Sequence, residues 1–430
     1  MKMLRRNAYY ACAMLALSAC DSGLFGSESR LQKPLAGDRI SLLAYQTDLR
    51  EDPILQESSL NLAAASTAKR AENLSVSGFN ASQSARAGDG DGWDSSLTPA
   101  PIVAAGIVYA MDSQGVISAH NAQDLDQILW RVPTVYGDDL KSLTGGGLAY
   151  AKGVLYATTA NGSIVALVAA DGSLLWRQEA GVPIRSAPAV AENQLYAITI
   201  DNQLLTFSAR TGQPLWNHRG IKESALYLGS ATPAVHNGIV IAAYSSGELF
   251  ALRADDGMPI WSDSLMTSKR TSAAASLTGI IATPIIRDNV VYAVSNNGLM
   301  AASLLSTGRG LWDLELSAAH TPWIAGDYLF VLSTDARLIA VHRANRRIRW
   351  IVDVMDWYDT DEPLPGFTSP IMVNSQLLMI DSMGRMLMID PTNGTLIEEA
   401  EVPEAIHARP VVADGAMVLM NKDAELFVLK

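Results

Sequence analysis

Side chains able to do bond chemistry are few in this chain and widely spaced. The six histidines, His120, His218, His236, His320, His342 and His407, stand singly, whereas a zinc site needs ligands grouped a few residues apart. Each reads as a surface or turn residue. The acidic pairs Asp138-Asp139 and Asp255-Asp256 fall where turns are expected, and Asp there bonds to its own backbone. Asp359, Asp361 and Glu362 are denser and lie beside Trp357 and Tyr358. They read as a solvated loop, with the lining of a channel mouth as the alternative. In Gly88-Asp89-Gly90-Asp91-Gly92 two acids are spaced as in a calcium loop, but the later acidic ligand is missing, so a turn is expected. There is no Gly-x-Ser-x-Gly elbow and no phosphate loop. Two thiols remain, Cys12 and Cys20.

Only Cys20 has surroundings that specify a reaction. Lys2, Arg5 and Arg6 make a basic start, and residues 8–17 are apolar over a length suited to a signal-peptide core and too short to span a membrane. The stretch ends in Leu17-Ser18-Ala19-Cys20, which resembles the lipobox of bacterial lipoproteins. That resemblance implies cleavage before Cys20 and acylation of Cys20, and several acyl chains on one residue give stable anchoring. Residues 1–19 are then a signal peptide. The mature chain keeps no other Cys, which excludes disulfides and thiol catalysis. Asp21 resembles the inner-membrane retention signal of enteric lipoproteins, so the periplasmic face of the outer membrane is expected first and that of the inner membrane is the alternative. The formal net charge is −12 before the three basic residues of the signal are lost. Such acidity disfavours nucleic acid or an anionic membrane surface as the main partner.

The elements come from a repeat. Trp130, Trp176, Trp216, Trp261, Trp312 and Trp350 recur at intervals of 38 to 51 residues, and the next equivalent position holds Glu398. Each Trp but Trp350 follows Leu or Ile, and the turn before it usually contains Gly, as in Ala209-Arg210-Thr211-Gly212-Gln213-Pro214-Leu215-Trp216. Further upstream stand Pro-led strands such as Ala187-Pro188-Ala189-Val190 and Thr232-Pro233-Ala234-Val235; Pro lacks an amide donor and suits a strand entry. Turns such as His236-Asn237-Gly238 separate the strands. Self-similarity of about 40 residues marks a stacked unit, here a meander of four short strands. The Trp series reads as apolar filler between sheets.

Units beginning near Pro101, Leu148, Pro188, Pro233, Pro284, Pro322, Pro370 and Pro410 make eight. A closed circle covers both faces of every sheet and leaves no long edge, so the expected fold is all-β, an eight-bladed β-propeller of four-stranded antiparallel blades. The eighth unit stops at Lys430 after its third strand. Its fourth is expected from the other end of the chain, near residues 73–77, where Asn73-Leu74-Ser75-Val76-Ser77 alternates as a strand should. The expected organisation is signal peptide 1–19, lipidated Cys, tether and N-terminal segment 20–72, and propeller 73–430. Within the middle segment, Asp52-Pro53-Ile54-Leu55 marks a turn or a helix start.

The Ala-x-x-Gly-x-x-x-Trp repeat resembles that of quinoprotein-type propellers. Two groups share it: the pyrroloquinoline-quinone dehydrogenases, and the BamB family of lipoproteins in the outer-membrane β-barrel assembly machine. The adjacent Cys pair, calcium-binding acids and catalytic Asp of the dehydrogenases cannot be placed here. The lipobox, the short tether and Thr321-Pro322-Trp323-Ile324-Ala325-Gly326-Asp327-Tyr328-Leu329-Phe330 are similar to BamB, the last to its alphaproteobacterial form. This resemblance implies a scaffold with no enzyme activity, cofactor or metal, which binds BamA and assists the folding and insertion of outer-membrane barrels, with nascent chains as possible further partners. In the family, BamA meets loops that precede the Pro-led strands of two consecutive units. Here those loops read Ser224-Ala225-Leu226-Tyr227-Leu228-Gly229-Ser230 and Ala275-Ser276-Leu277-Thr278-Gly279-Ile280-Ile281. They lack the family's Arg and Asp, which leaves Leu226, Tyr227, Leu228, Ile280 and Ile281 as an apolar contact set, with local core packing as the other reading. Two further classes stay open: a periplasmic quinoprotein dehydrogenase, and a propeller that binds envelope glycan or peptide.

Overall fold

The third strand of five blades places an alanine opposite the repeat Trp, and that pairing organises the sheet edge. Ala119, Ala166, Ala251, Ala302 and Ala340 face Trp130, Trp176, Trp261, Trp312 and Trp350, and the register slips at or just beside each pair. A bulge of this kind raises the local twist and turns the indole out of its own sheet toward the next one.

The computed structural model describes residues 49–57, 81–86, 99–134, 145–222, 230–266, 279–296, 298–358, 365–402, 406, 408–413, 416–421 and 424–429. The strands form eight four-stranded antiparallel sheets. Seven are sequential meanders within residues 102–133, 146–179, 189–219, 234–264, 285–314, 323–353 and 371–401, blades 1 to 7. Blade 8 takes three strands from residues 411–429 and its outer strand, Ala81–Arg86, from the other end of the chain. Ala81–Arg86 runs antiparallel to Glu425–Leu429. The stretch at 73–77, where the closing strand was expected, lies outside the described residues.

The first hairpin of blades 1 to 5 and 7 turns on two residues of positive φ, such as Asn237 at 50° and Gly238 at 70°. This is the turn whose twist matches the flanking strands. First strands lie innermost, and those of most neighbouring blades adjoin, including that of blade 8 with that of blade 1. Gly147 shows how tight the centre is, for a Cβ there would stand 2.5 Å from Ala187. Farther along the centre, Thr232 N–H donates to Thr283 Oγ1 at 3.3 Å and Thr283 N–H to Thr321 Oγ1 at 3.0 Å. Backbone groups left over by short inner strands are satisfied in this way across the blade gap.

The core is divided among the gaps between blades rather than gathered in one place. Each gap has its own buried apolar cluster, for instance Tyr156, Ile164, Trp176, Ile184, Leu195 and Phe207 between blades 2 and 3. The indole N–H of each of the six repeat tryptophans crosses to a carbonyl in the last turn of the following blade. Trp130 donates to Ala169 O at 3.0 Å, Trp176 to Ala209 O and Trp216 to Ala254 O at 2.9 Å, Trp261 to Leu305 O at 2.7 Å, Trp312 to Arg343 O at 2.8 Å, and Trp350 to Pro391 O at 2.9 Å. The repeat glycine lets that turn lie flat on the ring: Gly212 has φ of 72°, and a Cβ there would be 2.7 Å from Trp176.

Glu398 breaks the series for a topological reason. Blade 8 receives its outer strand from residues 81–86 and not from a meander, so no turn joins its third and outer strands to supply the carbonyl on which an indole docks in the other blades.

Candidate interaction face

Since strands alternate in direction, the loops between blades share a face with the hairpins joining second and third strands. The described residues that flank the two segments singled out by sequence, 221–222 and 230, and 266 and 279–281, lie between the blades on that face. Leu226, Tyr227 and Leu228 lie outside the described residues. Ile280 is 1% exposed and packs among Ala231, Ile241, Leu249 and Leu265 in the gap between blades 4 and 5. Ile281, next to it, is half-buried. Core packing therefore claims Ile280, and the structure gives these two neighbours different surroundings.

The base of each loop is fixed by polar groups. Asn202 adopts φ of 60° in the turn of blade 3 and is buried. Its Nδ2 donates to Ile221 O at 2.6 Å, and its Oδ1 accepts from Ser245 N–H at 3.0 Å and Ser245 Oγ at 2.9 Å in blade 4. The Glu248 carboxylate accepts from Ile221 N–H at 2.6 Å and from Ser246 Oγ at 2.8 Å. His218 Nδ1 lies 2.7 Å from Tyr244 Oη, and the two rings stack. Burial, with the Glu248 charge second, pushes the Tyr244 phenol up; burial holds the His218 imidazole below its ordinary value against the pull of Glu248. A neutral His218 is the form that packs on Phe250, with ring centroids 4.4 Å apart. The next loop is tied similarly. Gly279 N–H donates to Asn296 Oδ1 at 2.8 Å, Asn296 N–H to Gly279 O at 3.0 Å, and Ile280 N–H to Tyr244 O at 3.1 Å.

Two exposed apolar residues stand at these bases. Ile221, 61% exposed, precedes the loop 223–229, and Met266, 40% exposed, precedes the loop 267–278. Sequence reasoning missed both, because neither sits in an apolar run and only the fold reveals that they lie two residues beyond the ends of outer strands. Clamped loop bases presenting apolar side chains to solvent suit the docking of a protein surface.

Elsewhere, the histidine expectation is corrected at His120. It is fully buried in a strand of blade 1, with Nδ1 2.8 Å from Leu125 O and Nε2 2.9 Å from Ser118 Oγ. The expectation failed because two local acceptors and donors satisfy the ring inside the sheet. Asp359, Asp361 and Glu362 lie outside the described residues, as does Cys20. Their neighbour Tyr358 donates to Asp381 Oδ2 at 2.6 Å under the guanidinium of Arg385, whose Cζ is 4.3 Å from the ring centroid. Among the described residues no group of three or more His, Cys, Asp or Glu is placed to hold a metal.

Comparison with known proteins adds the family. The family model described as outer membrane protein assembly factor BamB matches residues 113–352. The BamB of Salmonella typhimurium is 26% identical over 334 residues, covering 76% of this chain and 83% of that protein. The BamB of Shewanella oneidensis is 25% identical over 357 residues, 81% of this chain and 88% of that one. In fold, the chain is similar to the crystal structure of BamB from Moraxella catarrhalis, with a TM-score of 0.66, 20% identity and coverage of 82% of this chain and 97% of that one. It is also similar to quinohemoprotein alcohol dehydrogenase from Comamonas testosteroni, with a TM-score of 0.65, 12% identity and coverage of 87% and 78%. The ring architecture is thus common to both groups, while the sequence match across the blades selects one: this chain belongs to the BamB family of outer membrane protein assembly factors.

Proposed function

We propose that this protein is a lipid-tethered scaffold of outer-membrane β-barrel assembly, held through Cys20 at the periplasmic face of the outer membrane, which binds BamA by contact and carries out no bond chemistry. The observation that supports the reading best is the family match over residues 113–352, the stretch that contains the clamped loop bases of blades 3 to 5. In this reading Leu226, Tyr227, Leu228 and Ile281 supply the contact, Ile221 and Met266 extend it, and Ile280 holds its loop in place from below. Apolar anchors within a polar rim are the usual source of affinity in a protein interface. They take over here from the charges that the family carries in these loops.

Crosslinked pull-down from native membranes, followed by identification of the captured proteins, tests this. BamA should be recovered with the wild-type chain and be depleted with Leu228→Asp or Ile281→Asp. Recovery at wild-type level with both variants would remove the proposed surface, and absence of BamA from the wild-type sample would remove the scaffold reading. A dehydrogenase, the reading that the second fold match keeps in view, would instead show quinone absorbance and alcohol turnover after reconstitution with quinone and calcium.

A further inference from the structure

The residue before the repeat Trp is an exposed aliphatic in blades 1 to 5, namely Leu129, Leu175, Leu215, Ile260 and Leu311, and Ile397 occupies the same place in blade 7. Blade 6 has Arg349 there, and that side chain is 3% exposed. An enclosed guanidinium requires acceptors; Arg349 has the Tyr328 hydroxyl of its own blade at 3.5 Å and reaches three carbonyls outside it. Nη1 donates to Leu55 O at 2.5 Å, Nη2 to Gln56 O at 3.4 Å, and Nε to Thr392 O in the last turn of blade 7 at 2.7 Å. Leu55 and Gln56 belong to the single helical turn Pro53–Glu57, whose terminal carbonyls have no partner within the helix.

The preceding residues lie along the outer edge of blade 6. Glu51 bridges Ile348 in parallel, and Asp52 N–H donates to Ile348 O at 2.7 Å. Ile351 N–H donates to the Glu51 carboxylate at 2.7 Å, the Asp52 carboxylate pairs with Arg347, and Leu49 packs against the apolar cluster between blades 5 and 6. Residues 49–57 therefore lie against the outer strand of one blade, through a single bridge at Glu51 followed by the helical turn, with Arg347 and Arg349 holding them. Along the chain, the next described element is Ala81–Arg86, the strand that closes blade 8. Among the described residues, neither gap flanking blade 8 has an outer-strand indole docked on the next blade's last turn: Glu398 stands in the Trp position of blade 7, and Ala81–Arg86 contains no Trp.

We infer that residues 49–57 form a strain-relief strap: a load arriving through the N-terminal tether enters the ring at blade 6 and is kept off the closing strand. This inference rests on the tether proposed above. An edge strand pulled from its end gives up its hydrogen bonds pair by pair, whereas the strap spreads a pull over two ion-pairing or carbonyl-clamping arginines, two backbone-directed hydrogen bonds and an apolar contact. The aliphatic residue used by the other blades would offer none of the carbonyl clamp.

Optical tweezers can read this on the full mature chain in unacylated form, in which Cys20 is the natural handle and Gln213→Cys, in the exposed last turn of blade 3, supplies the second. Wild-type protein should give a first step that releases residues 49–57, with detachment of residues 81–86 as a separate, later step. Arg349→Leu should lose the first step, so that residues 81–86 detach first. Should Arg349→Leu fail to fold, Glu51→Ala with Asp52→Ala breaks the clamp from the strap side and should give the same loss. Traces that do not differ between wild type and variant, or a wild-type trace in which residues 81–86 leave first, would overturn the inference. Mass spectrometry of Cys20 from native membranes separates the two readings. Acylated Cys20 without a strap step removes the strap alone; unacylated Cys20 removes the tether and the load it would transmit.

Discussion

At Trp176 one side chain joins two blades in two ways: its ring covers Gly212, and its N–H and the hydroxyl of Tyr156 both donate to Ala209 O, at 2.9 and 3.2 Å. Trp176→Ala removes the filler and one of the donors, and a large-to-small change in a packed site costs about 3–5 kcal/mol. Urea unfolding should show a loss of that size. Gly212→Ala attacks the same joint from the other side, since it puts a methyl 2.7 Å from the indole at φ of 72°; a loss of about 1–3 kcal/mol is expected in the same assay. Blade 6 tolerates Arg346 at the equivalent place with φ of 58°, and there Nη1 donates to Asp313 O at 2.6 Å, next to Trp312. That hydrogen bond across the blade gap offsets part of the backbone cost. His120 sets a pH dependence. Burial holds its imidazole below the ordinary value, with the Leu125 carbonyl and Asp126 acting upward and Arg131 downward. The unfolded chain then binds the proton first as pH falls, so stability declines below the unfolded value, by at most about 1.4 kcal/mol per pH unit for one group. Unfolding at pH 7.5 and 5.5 should show the decline, and His120→Gln should shrink it.

Among the elements, the meanders were legible because each strand, turn and docking residue repeats with the same chemistry. Pro marks the entry, Asn-Gly or its like the first hairpin, Gly the last turn, and Trp the outer strand. The elements that escaped are those used once. Ala81–Arg86 reads Ala-Ser-Gln-Ser-Ala-Arg and carries no apolar alternation, so its strand character comes from the open edge of Glu425–Leu429 and not from itself. Residues 49–57 likewise gain their place from Arg347 and Arg349, which lie about 300 positions away in sequence. The Asn202 latch was invisible because its turn resembles all the others; only the fold brings Ile221, Ser245 and its amide together. Asn202→Gly keeps the left-handed backbone while deleting those bonds. A cost of about 1–3 kcal/mol follows from the unsatisfied partners, and hydrogen exchange should show Ser245 N–H losing protection while the neighbouring blades keep theirs.

For the whole molecule, the division of the core into eight gap clusters means that neighbouring blades stabilise each other pairwise and closure couples the ends. Among the described residues two gaps lack the indole tie, those on either side of blade 8. Hydrogen exchange is expected to open residues 411–429 before the blades tied by Trp130 to Trp350, because local opening starts where fewest interactions must break. Blade 8 exchanging together with blades 2 to 5 would mean that closure by Ala81–Arg86 is as firm as a Trp-docked gap. The family's ring is shared with enzymes, so the purpose of this copy depends on what its faces touch. The loop face over blades 3 to 5 bears the proposed contact. Calorimetric titration of the purified mature chain with the periplasmic part of BamA tests that most directly. The account predicts saturable binding with Kd on the order of micromolar, weakened about tenfold or more by Ile281→Asp as befits an apolar anchor worth over 1.4 kcal/mol. No heat of binding with the folded wild-type chain, or an Ile281→Asp isotherm that overlays it, would contradict the account.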